Sequence, residues 1–218
     1  MKKTEVIISG GAIKDAGIIS RTIALLESPA IICADGGLRH LAGTGIVPDV
    51  IVGDMDSADE TTVDGFLQRG SRIERHPVHK DETDTELALA SALEMKPDHV
   101  VILGALGGRI DHALANISLL VMAGDRGVDA VIRDETCELF IVKDRREIRG
   151  TPGDTVSLLP LTGEVSGITL EGFEYPLADA VMRIGVPCGI SNRLSGATGT
   201  ITVKSGHLLV VRFFGEVA

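Results

Sequence analysis

Short apolar runs alternate with helix-like patterns over residues 1–135. The runs are rich in Val, Ile, Leu and Ala and fall within residues 5–11, 30–37, 50–52, 99–104 and 130–132, with a weaker strand at 72–75. The apolar spacing between them predicts helices at residues 15–27, 58–68, 83–95 and 110–123, and a short helix through 38–41. This alternation predicts an α/β fold with a mostly parallel sheet and helices on both faces.

The pattern changes near Thr136. Helical periodicity ends, and short β-rich pieces alternate with Gly, Pro and Thr at residues 138–142, 156–159, 168–170, 200–203 and 208–213. Short strands at close spacing predict an antiparallel β-sandwich or a partial barrel. We therefore expect two domains, residues 1–135 and 136–218, without a disordered linker.

Composition excludes several classes of partner. The formal net charge of −10, with no basic patch, argues against nucleic-acid or anionic-membrane binding. A phosphate substrate remains compatible, because a bound metal can reverse the charge of a local site.

The three cysteines form no CxxC pair, which argues against a zinc site or a disulfide framework. No segment approaches the roughly 20 apolar residues that span a bilayer, so we expect a cytoplasmic protein.

Two aspartates separated by one residue follow the third apolar run. In extended backbone, residues i and i+2 point to the same face about 6–7 Å apart, so Asp54 and Asp56 could share one divalent cation. Ser57 is placed to cap a following helix. The alternative interpretation is that these residues only build a polar turn.

A charged segment opens the helix predicted after the weak strand. Thr83 and Glu86 have the spacing of a capping box, and acidic residues favour a helix N-terminus. A solvated helix start therefore explains the segment as well as a functional site does. Under the functional interpretation, Lys80 contacts phosphate as a point charge, and Asp81 or Asp84 extends the metal site.

A glycine-rich loop follows the strongest apolar run and opens the next predicted helix. Gly108 lets the backbone approach a ligand, the helix N-terminus favours an anion, and the planar fork of Arg109 suits phosphate oxygens. The loop lacks the Gly-Lys-Ser/Thr ending of a Walker A motif. The alternative is that Asp111 is an N-cap and that His112 and Asn116 are surface polar residues.

These carboxylates, glycines and cations together are typical of Mg²⁺-assisted phosphoryl chemistry. Charge neutralisation and alignment supply most of the catalysis in such sites. The segments all follow predicted parallel strands, and the carboxyl ends of such strands are where open α/β sheets bind ligands. We therefore expect the segments to meet in one site.

Five motifs in order resemble those of the thiamine pyrophosphokinases, and the match runs through nearly the whole chain. The motifs are Ala34-Asp35-Gly36-Gly37, Gly53-Asp54-x-Asp56-Ser57, Lys80-Asp81-x-Thr83-Asp84, Gly108-Arg109-x-Asp111-His112 and Gly189-Ile190-Ser191-Asn192.

The resemblance implies that ATP and thiamine give thiamine diphosphate and AMP, with Mg²⁺ as cofactor. It further implies a nucleotide- and metal-binding catalytic α/β domain over residues 1–135 and a thiamine-binding β-sandwich over residues 136–218. A homodimer with active sites at the subunit interface is also implied.

Residue roles carry over onto the matching positions. Asp54, Asp56 and Asp84 are implied as metal ligands, and with Asp35 they would organise the metal and the triphosphate. The other binding residues implied in the same way are Gly36, Ser57, Lys80, Asp81, Thr83, Gly108, His112 and Asn192.

The resemblance also implies that Arg109 faces the phosphates, while Asp111 and Ser191 face the thiamine. Relatives with an aromatic residue just after Ser-Asn can stack it on the thiamine pyrimidine, whereas this chain has Arg193 and Leu194 there, and it contains no Trp. The candidates for stacking are Leu194, Phe173 and Tyr175.

Two other functions are compatible with the residues alone. One is a different metal-dependent transferase or hydrolase that acts on a nucleotide. The other is a module that binds nucleotide or thiamine without turnover.

Overall fold

The computed structural model describes residues 3–15 and 17–215. The chain divides into two units, Met1–Glu135 and Thr136–Ala218. Each unit is built differently, as the change of sequence pattern predicts.

Six parallel strands form the sheet of the first unit, in the order β6-β5-β1-β2-β3-β4. Their bounds are β1 Thr4–Ile8, β2 Ala30–Ala34, β3 Val50–Gly53, β4 Arg72–Arg75, β5 His99–Leu103 and β6 Asp129–Arg133. The predicted parallel sheet is therefore confirmed.

Helices cover both faces of this sheet. They are α1 Gly17–Ala24, α2 Glu60–Gln68, α3 Asp84–Glu94 and α4 Ile110–Asp125, with a 3-10 helix at Asp35–His40. Alternate strand residues such as Val6 and Ile8 pack with Ile19 of α1 and Phe66 of α2, while α3 packs on β1, β2 and β3 from the other side. Among the described residues, none of the helices is both long enough and apolar enough to cross a membrane.

The strand order places a topological switch point at β1. This strand pairs with β2 on one side and β5 on the other, so the chain turns in opposite directions after β1 and after β5. The loops that leave such a pair diverge and open a crevice at the carboxyl end of the sheet, which is the usual ligand position in open α/β folds.

The second unit contains only β-strands as regular elements among its described residues. They form two antiparallel sets, β12-β9-β14-β7 and β11-β10-β13-β8. Their bounds are β7 Cys137–Val142, β8 Arg145–Arg149, β9 Thr155–Pro160, β10 Glu164–Glu171, β11 Leu177–Arg183, β12 Gly189–Arg193, β13 Thr198–Thr202 and β14 Leu208–Phe213.

The hydrophobic pattern of the sequence did not predict three of these strands. In β8, β11 and β12 most side chains are not buried, so the apolar alternation that identifies a strand is absent. Backbone pairing with better-patterned neighbours defines them instead, as for β8 against β13.

Glu5 is a carboxylic acid inside the core of the first unit. Its side chain is fully buried in β1, and neither carboxylate oxygen has a hydrogen-bond partner among the described residues. The ammonium of Lys3 lies 3.6 Å from Oε1. Burial raises the pKa of Glu5 above its ordinary value of 4.5, although the charge of Lys3 acts in the opposite direction.

Replacing Glu5 with glutamine is expected to raise the free energy of unfolding at neutral pH by about 1–2 kcal/mol, because the amide keeps the shape of the side chain and removes the negative charge that is costly to bury. A carboxyl group whose pKa is raised on folding stabilises the protein below its unfolded pKa, near 4.5, and this stability is lost as pH rises through the folded pKa. The gain in Glu5→Gln should therefore shrink toward pH 4.

Denaturant titrations between about pH 4 and pH 8 measure this difference. The exposed Glu27 provides the matched control, since Glu27→Gln should change stability by less than about 0.5 kcal/mol. A Glu5→Gln variant that is less stable than the parent at pH 8 would contradict the expectation.

Candidate active site

One cavity of about 700 Å³ lies at the carboxyl end of the parallel sheet in the first unit. The loops after β1, β2, β3 and β5 and the starts of α3 and α4 surround it. Its lining consists of Ser9, Gly10, Gly11, Ala12, Ala34, Asp35, Gly36, Arg39, Ser57, Lys80, Glu82, Thr83, Asp84, Thr85, Ala105, Gly107, Gly108, Arg109, His112 and Asn116. The sequence-predicted segments therefore do meet at this edge of the sheet.

The loops after β1 and β5 contact each other directly at the switch point. The backbone N–H of Gly11 donates to the carbonyl oxygen of Gly104 at 2.7 Å, and that of Ala12 donates to Gly107 at 3.2 Å. A Cβ atom on Gly107 would lie 2.3 Å from the carbonyl oxygen of Ala12, so only glycine fits there. This close approach leaves the wall of the cavity built largely of backbone.

Three aspartates come together beside the cavity. Asp35, Asp54 and Asp56 each offer a carboxylate oxygen, and these oxygens all lie within 4.8 Å of one another. Asp35 is buried at the start of the 3-10 helix, Asp54 is half-buried, and Asp56 is exposed. Burial, followed by the negative charge of Asp84, raises the pKa of Asp35 to about 6. Such crowding of carboxylates is the arrangement that a divalent cation relieves.

A local hydrogen bond from the backbone orients the predicted pair of aspartates, Asp54 and Asp56. The N–H of Asp56 donates to Oδ1 of Asp54 at 3.1 Å, and this bond is the main cause that lowers the pKa of Asp54. Ser57 does not cap a helix, so that prediction is wrong: α2 begins later, and its N-cap is Asp59, which accepts from Thr62. The hydroxyl of Ser57 donates to Oδ1 of Asp56 instead, at 3.0 Å.

Lys80 lies between two carboxylates. Its Nζ is 2.6 Å from Oδ1 of Asp84 and 3.5 Å from Oδ2 of Asp54. Burial opposes its charge, but the hydrogen bond and charge of Asp84, with those of Asp54, outweigh burial and raise the pKa of Lys80. Thr83 also caps α3 by accepting from the N–H of Glu86 at 3.1 Å, so the capping and the site interpretations of this segment are compatible.

The start of α4 presents a guanidinium and a carboxylate at the rim of the cavity. Arg109 and Asp111 form a two-point ion pair, with Nε to Oδ1 at 3.1 Å and Nη2 to Oδ2 at 2.5 Å. The hydrogen bond from Arg109 lowers the pKa of Asp111 to about 2. Asn116 is not a surface residue, contrary to the alternative interpretation: it is buried and donates to the carbonyl oxygen of Ala105 at 2.8 Å.

Not every predicted site residue lines this cavity. Asp54 and Asp56 lie beside the cavity, close to its lining residues Asp35 and Lys80. Asp81 and Asp111 are exposed and do not line the cavity. The structure groups Asp84 with Lys80 rather than with the three clustered aspartates.

Ser191 and Asn192 lie in β12 of the second unit. Ser191 is exposed, with φ at 60°, whereas Asn192 is buried. The amide of Asn192 makes two bonds to the backbone of Tyr175, accepting from its N–H at 3.1 Å and donating to its carbonyl oxygen at 2.8 Å. Of the stacking candidates, Phe173 and Leu194 are 5% and 2% exposed, whereas Tyr175 is 62% exposed.

Sequence reasoning gave no role to Thr85 or Arg39, and it named Ser9 only as part of a polar segment at the carboxyl end of the first strand. Ser9 and Thr85 share a buried hydroxyl–hydroxyl bond of 2.5 Å, which ties the β1 loop to α3. Arg39 adds a third cation to the lining. No local motif marks Arg39 or Thr85, although Thr85 directly follows Asp84, which the pattern did place at the site.

Comparisons with known proteins identify the family of this chain. A family model for the catalytic domain of thiamin pyrophosphokinase matches residues 24–132, and a model for the vitamin B1 binding domain of the same enzyme matches residues 141–208. The chain belongs to the thiamine pyrophosphokinase family. The curated thiamine pyrophosphokinase of Bacillus subtilis (strain 168) is 31% identical over 180 residues, covering 82% of this chain and 84% of that relative.

Solved structures of the thiamine pyrophosphokinase family share the fold. The crystal structure of thiamine pyrophosphokinase from Bacillus subtilis has a TM-score of 0.86 at 28% identity, covering 98% of this chain and 100% of that chain. The thiamin pyrophosphokinase of Geobacillus thermodenitrificans has a TM-score of 0.83 at 27% identity, covering 98% of both chains. The predicted fold class and the family resemblance are both confirmed.

Proposed function

We propose that this chain transfers the pyrophosphoryl group of ATP to thiamine, giving thiamine diphosphate and AMP. Its family makes it a thiamine diphosphokinase, and hence an enzyme. The observation that carries the residue assignments is the meeting of three carboxylates, a lysine and a glycine-rich helix start around one cavity. That set neutralises and aligns a polyphosphate, which is the main requirement of phosphoryl transfer.

We assign the cofactor as Mg²⁺, because the donor set fits it. Asp35, Asp54 and Asp56 supply only hard oxygen ligands, which Mg²⁺ prefers, and their oxygens are already within 4.8 Å of one another. Burial, followed by the negative charge of Asp84, raises the pKa of Asp35, and a dication beside this carboxylate would oppose both effects. When bound, Mg²⁺ neutralises phosphate oxygens and the charge that develops during transfer. Asp84 is proposed as a further ligand, as the resemblance implies.

We assign the triphosphate of ATP to the cavity. The glycine loop around Gly108 and the first turn of α4, whose N-cap Arg109 makes no side-chain capping bond, offer backbone N–H groups to an anion, although the N–H of His112 already donates to Oδ1 of Asp111 at 3.0 Å. Arg109 and Lys80 add positive charge, and His112 lies beside them on the lining. Gly36 lets the chain after β2 approach the ligand.

We assign thiamine to residues of the second unit. Tyr175 is the stacking residue, because it alone of the three candidates is exposed. Asn192 then acts by holding the backbone of Tyr175 through two amide bonds rather than by touching thiamine. The exposed hydroxyl of Ser191 is free of this network and is assigned to the thiamine itself.

In the proposed reaction, the hydroxyethyl oxygen of thiamine attacks the β-phosphorus of ATP. The bond between that phosphorus and the α,β-bridging oxygen breaks, AMP leaves with the oxygen, and the hydroxyl proton passes to solvent. Asp111 orients the hydroxyl rather than deprotonating it, because a carboxylate with a pKa of about 2 is a weak base. A loose transition state places little demand on a general base.

The test incubates the protein with ATP, Mg²⁺ and thiamine and separates the products by chromatography. The proposal predicts AMP and thiamine diphosphate in equal amounts, with neither formed when thiamine is omitted. Phosphate release without thiamine would indicate a nucleotide hydrolase instead, and binding without turnover over hours would indicate a non-catalytic module.

We also propose a homodimer with active sites at the subunit interface, working in the cytoplasm. The second unit exposes large aliphatic side chains at Ile184, Val186 and Ile190, which are 60%, 57% and 48% exposed in the single chain. The three side chains fall within residues 184–190 of the chain, and grouped exposed apolar side chains are typical of a protein interface. Cys33 and Cys188 are free thiols, in keeping with a reducing compartment.

Mixing two inactive variants tests the shared site. Asp54→Asn damages the first unit, and Tyr175→Arg places a cation where cationic thiamine must bind. If each site takes one unit from each subunit, random mixed dimers carry one intact site, and co-expression should restore about a quarter of parental activity.

A mixture of Asp54→Asn with Asp56→Asn provides the control, since both changes lie in the same unit and no intact site can form. Sedimentation measures the oligomeric state of each variant. A monomer, or a mixture of Asp54→Asn and Tyr175→Arg that stays inactive although dimers form, would contradict the interface site.

A further inference from the structure

Lys80 occupies a position that a divalent cation would compete for. Its ammonium bridges Asp54 and Asp84 at 3.5 and 2.6 Å, and only 11% of its side chain is exposed. Asp54 also belongs to the three-aspartate group beside the cavity. One carboxylate therefore serves both the ammonium and the proposed metal site.

The other cations of the cavity are arranged differently. Arg109 pairs with Asp111, which does not line the cavity. Arg39 lines the cavity and makes no ion pair within residues 3–15 and 17–215. Of the three, Lys80 alone contacts the carboxylates proposed to hold the metal.

We propose that Lys80 is a built-in counter-cation that holds Asp54 and Asp84 until the metal arrives, competes with the metal for them, and then turns to the triphosphate. This inference rests on the proposed metal site. An ammonium and a dication cannot both stay in contact with the same carboxylate oxygens without strong repulsion. A flexible four-carbon stem gives Lys80 the reach to exchange one anionic partner for another.

Two consequences follow from this exchange. Without nucleotide, the metal must displace an ammonium that gains no new partner, so divalent affinity is weak. With nucleotide, phosphate oxygens accept the ammonium, so metal and ATP bind cooperatively. Departure of Lys80 also releases Asp84, which the structure otherwise leaves outside the three-aspartate group.

The experiment titrates Mn²⁺ into nucleotide-free protein and follows the free ion by electron paramagnetic resonance. Lys80→Met removes the charge and keeps most of the stem. This variant should bind Mn²⁺ about tenfold more tightly, which is the lower end of the change in proton affinity that one adjacent opposite charge causes in a carboxylate. Arg39→Met removes an equal charge from an exposed position of the same cavity that makes no ion pair with the aspartates, and should change the affinity by less than about threefold, because water and salt screen exposed charges.

Adding Asp54→Asn to Lys80→Met should abolish the gain, which assigns the Mn²⁺ to this site. Lys80→Gln serves as a second uncharged variant if Lys80→Met does not fold. Unchanged or weaker Mn²⁺ binding in the uncharged variants, or an equal gain in Arg39→Met, overturns the proposal. If the parent protein makes thiamine diphosphate and these titrations show no gain, only the role of Lys80 falls; if it makes none, the proposed function falls independently.

Discussion

Asp54→Asn is expected to lower kcat by about 10²–10⁴-fold while the protein stays folded, the range seen when a group that stabilises transition-state charge is removed. Asp54 lies at the centre of the site: it belongs to the three-aspartate group and also contacts Lys80. An amide offers one neutral oxygen in place of a carboxylate and cannot balance a dication. Rates of thiamine diphosphate formation at saturating Mg²⁺ measure the loss.

Asp64→Asn makes the same chemical change on an exposed position of α2 and should leave kcat within about twofold, since surface substitutions away from a site have little effect. Circular dichroism melts of both variants separate lost catalysis from lost folding. A kcat for Asp54→Asn within tenfold of the parent at saturating Mg²⁺ would rule out the metal role of Asp54.

Gly107→Ala is expected to lower the free energy of unfolding by about 2–4 kcal/mol and to reduce activity with it, because backbone overlap in a packed region must be relieved by movement. The added Cβ would lie 2.3 Å from the carbonyl oxygen and 2.5 Å from the nitrogen of Ala12. Both contacts are with backbone, so no side chain can turn away. The loops after β1 and β5 would have to separate, which opens the wall of the cavity.

Gly65→Ala provides a control of opposite sign. Gly65 lies inside α2 with nothing within 4 Å of an added Cβ, so alanine should stabilise the protein by up to about 1 kcal/mol. Urea titrations of the two variants give both values. A Gly107→Ala protein as stable as the parent would show that the two loops tolerate separation.

The fold was largely predictable from the sequence because the first unit buries its strands on both faces. Runs such as residues 100–103 are then continuously apolar and easily recognised, and the glycines and carboxylates that follow them must lie at one edge of a parallel sheet. β8 and β11 were missed for the converse reason: their side chains face mostly outward, so hydrogen bonds to neighbouring strands define them.

The candidate site was predictable at the level of segments but not of contacts. Asp54 and Asp56 are close because they are two residues apart, a relation that the sequence states directly. Asp35 joins them only because β2 pairs with β3 in the sheet. Asn192 was assigned to the ligand by resemblance, whereas its burial and its two bonds to the backbone of Tyr175 are visible only in the tertiary structure.

By itself, the sequence determined the fold class, the family and the segments that meet at the cavity, because buried strands and short motifs are local properties of the chain. The tertiary structure alone decided which charges face one another. It brought Asp35 to the aspartate pair, placed Lys80 between Asp54 and Asp84, and joined Arg109 to Asp111. Electrostatic interactions depend on a separation of a few ångströms in space, which cannot be read from the distance between two residues along the chain.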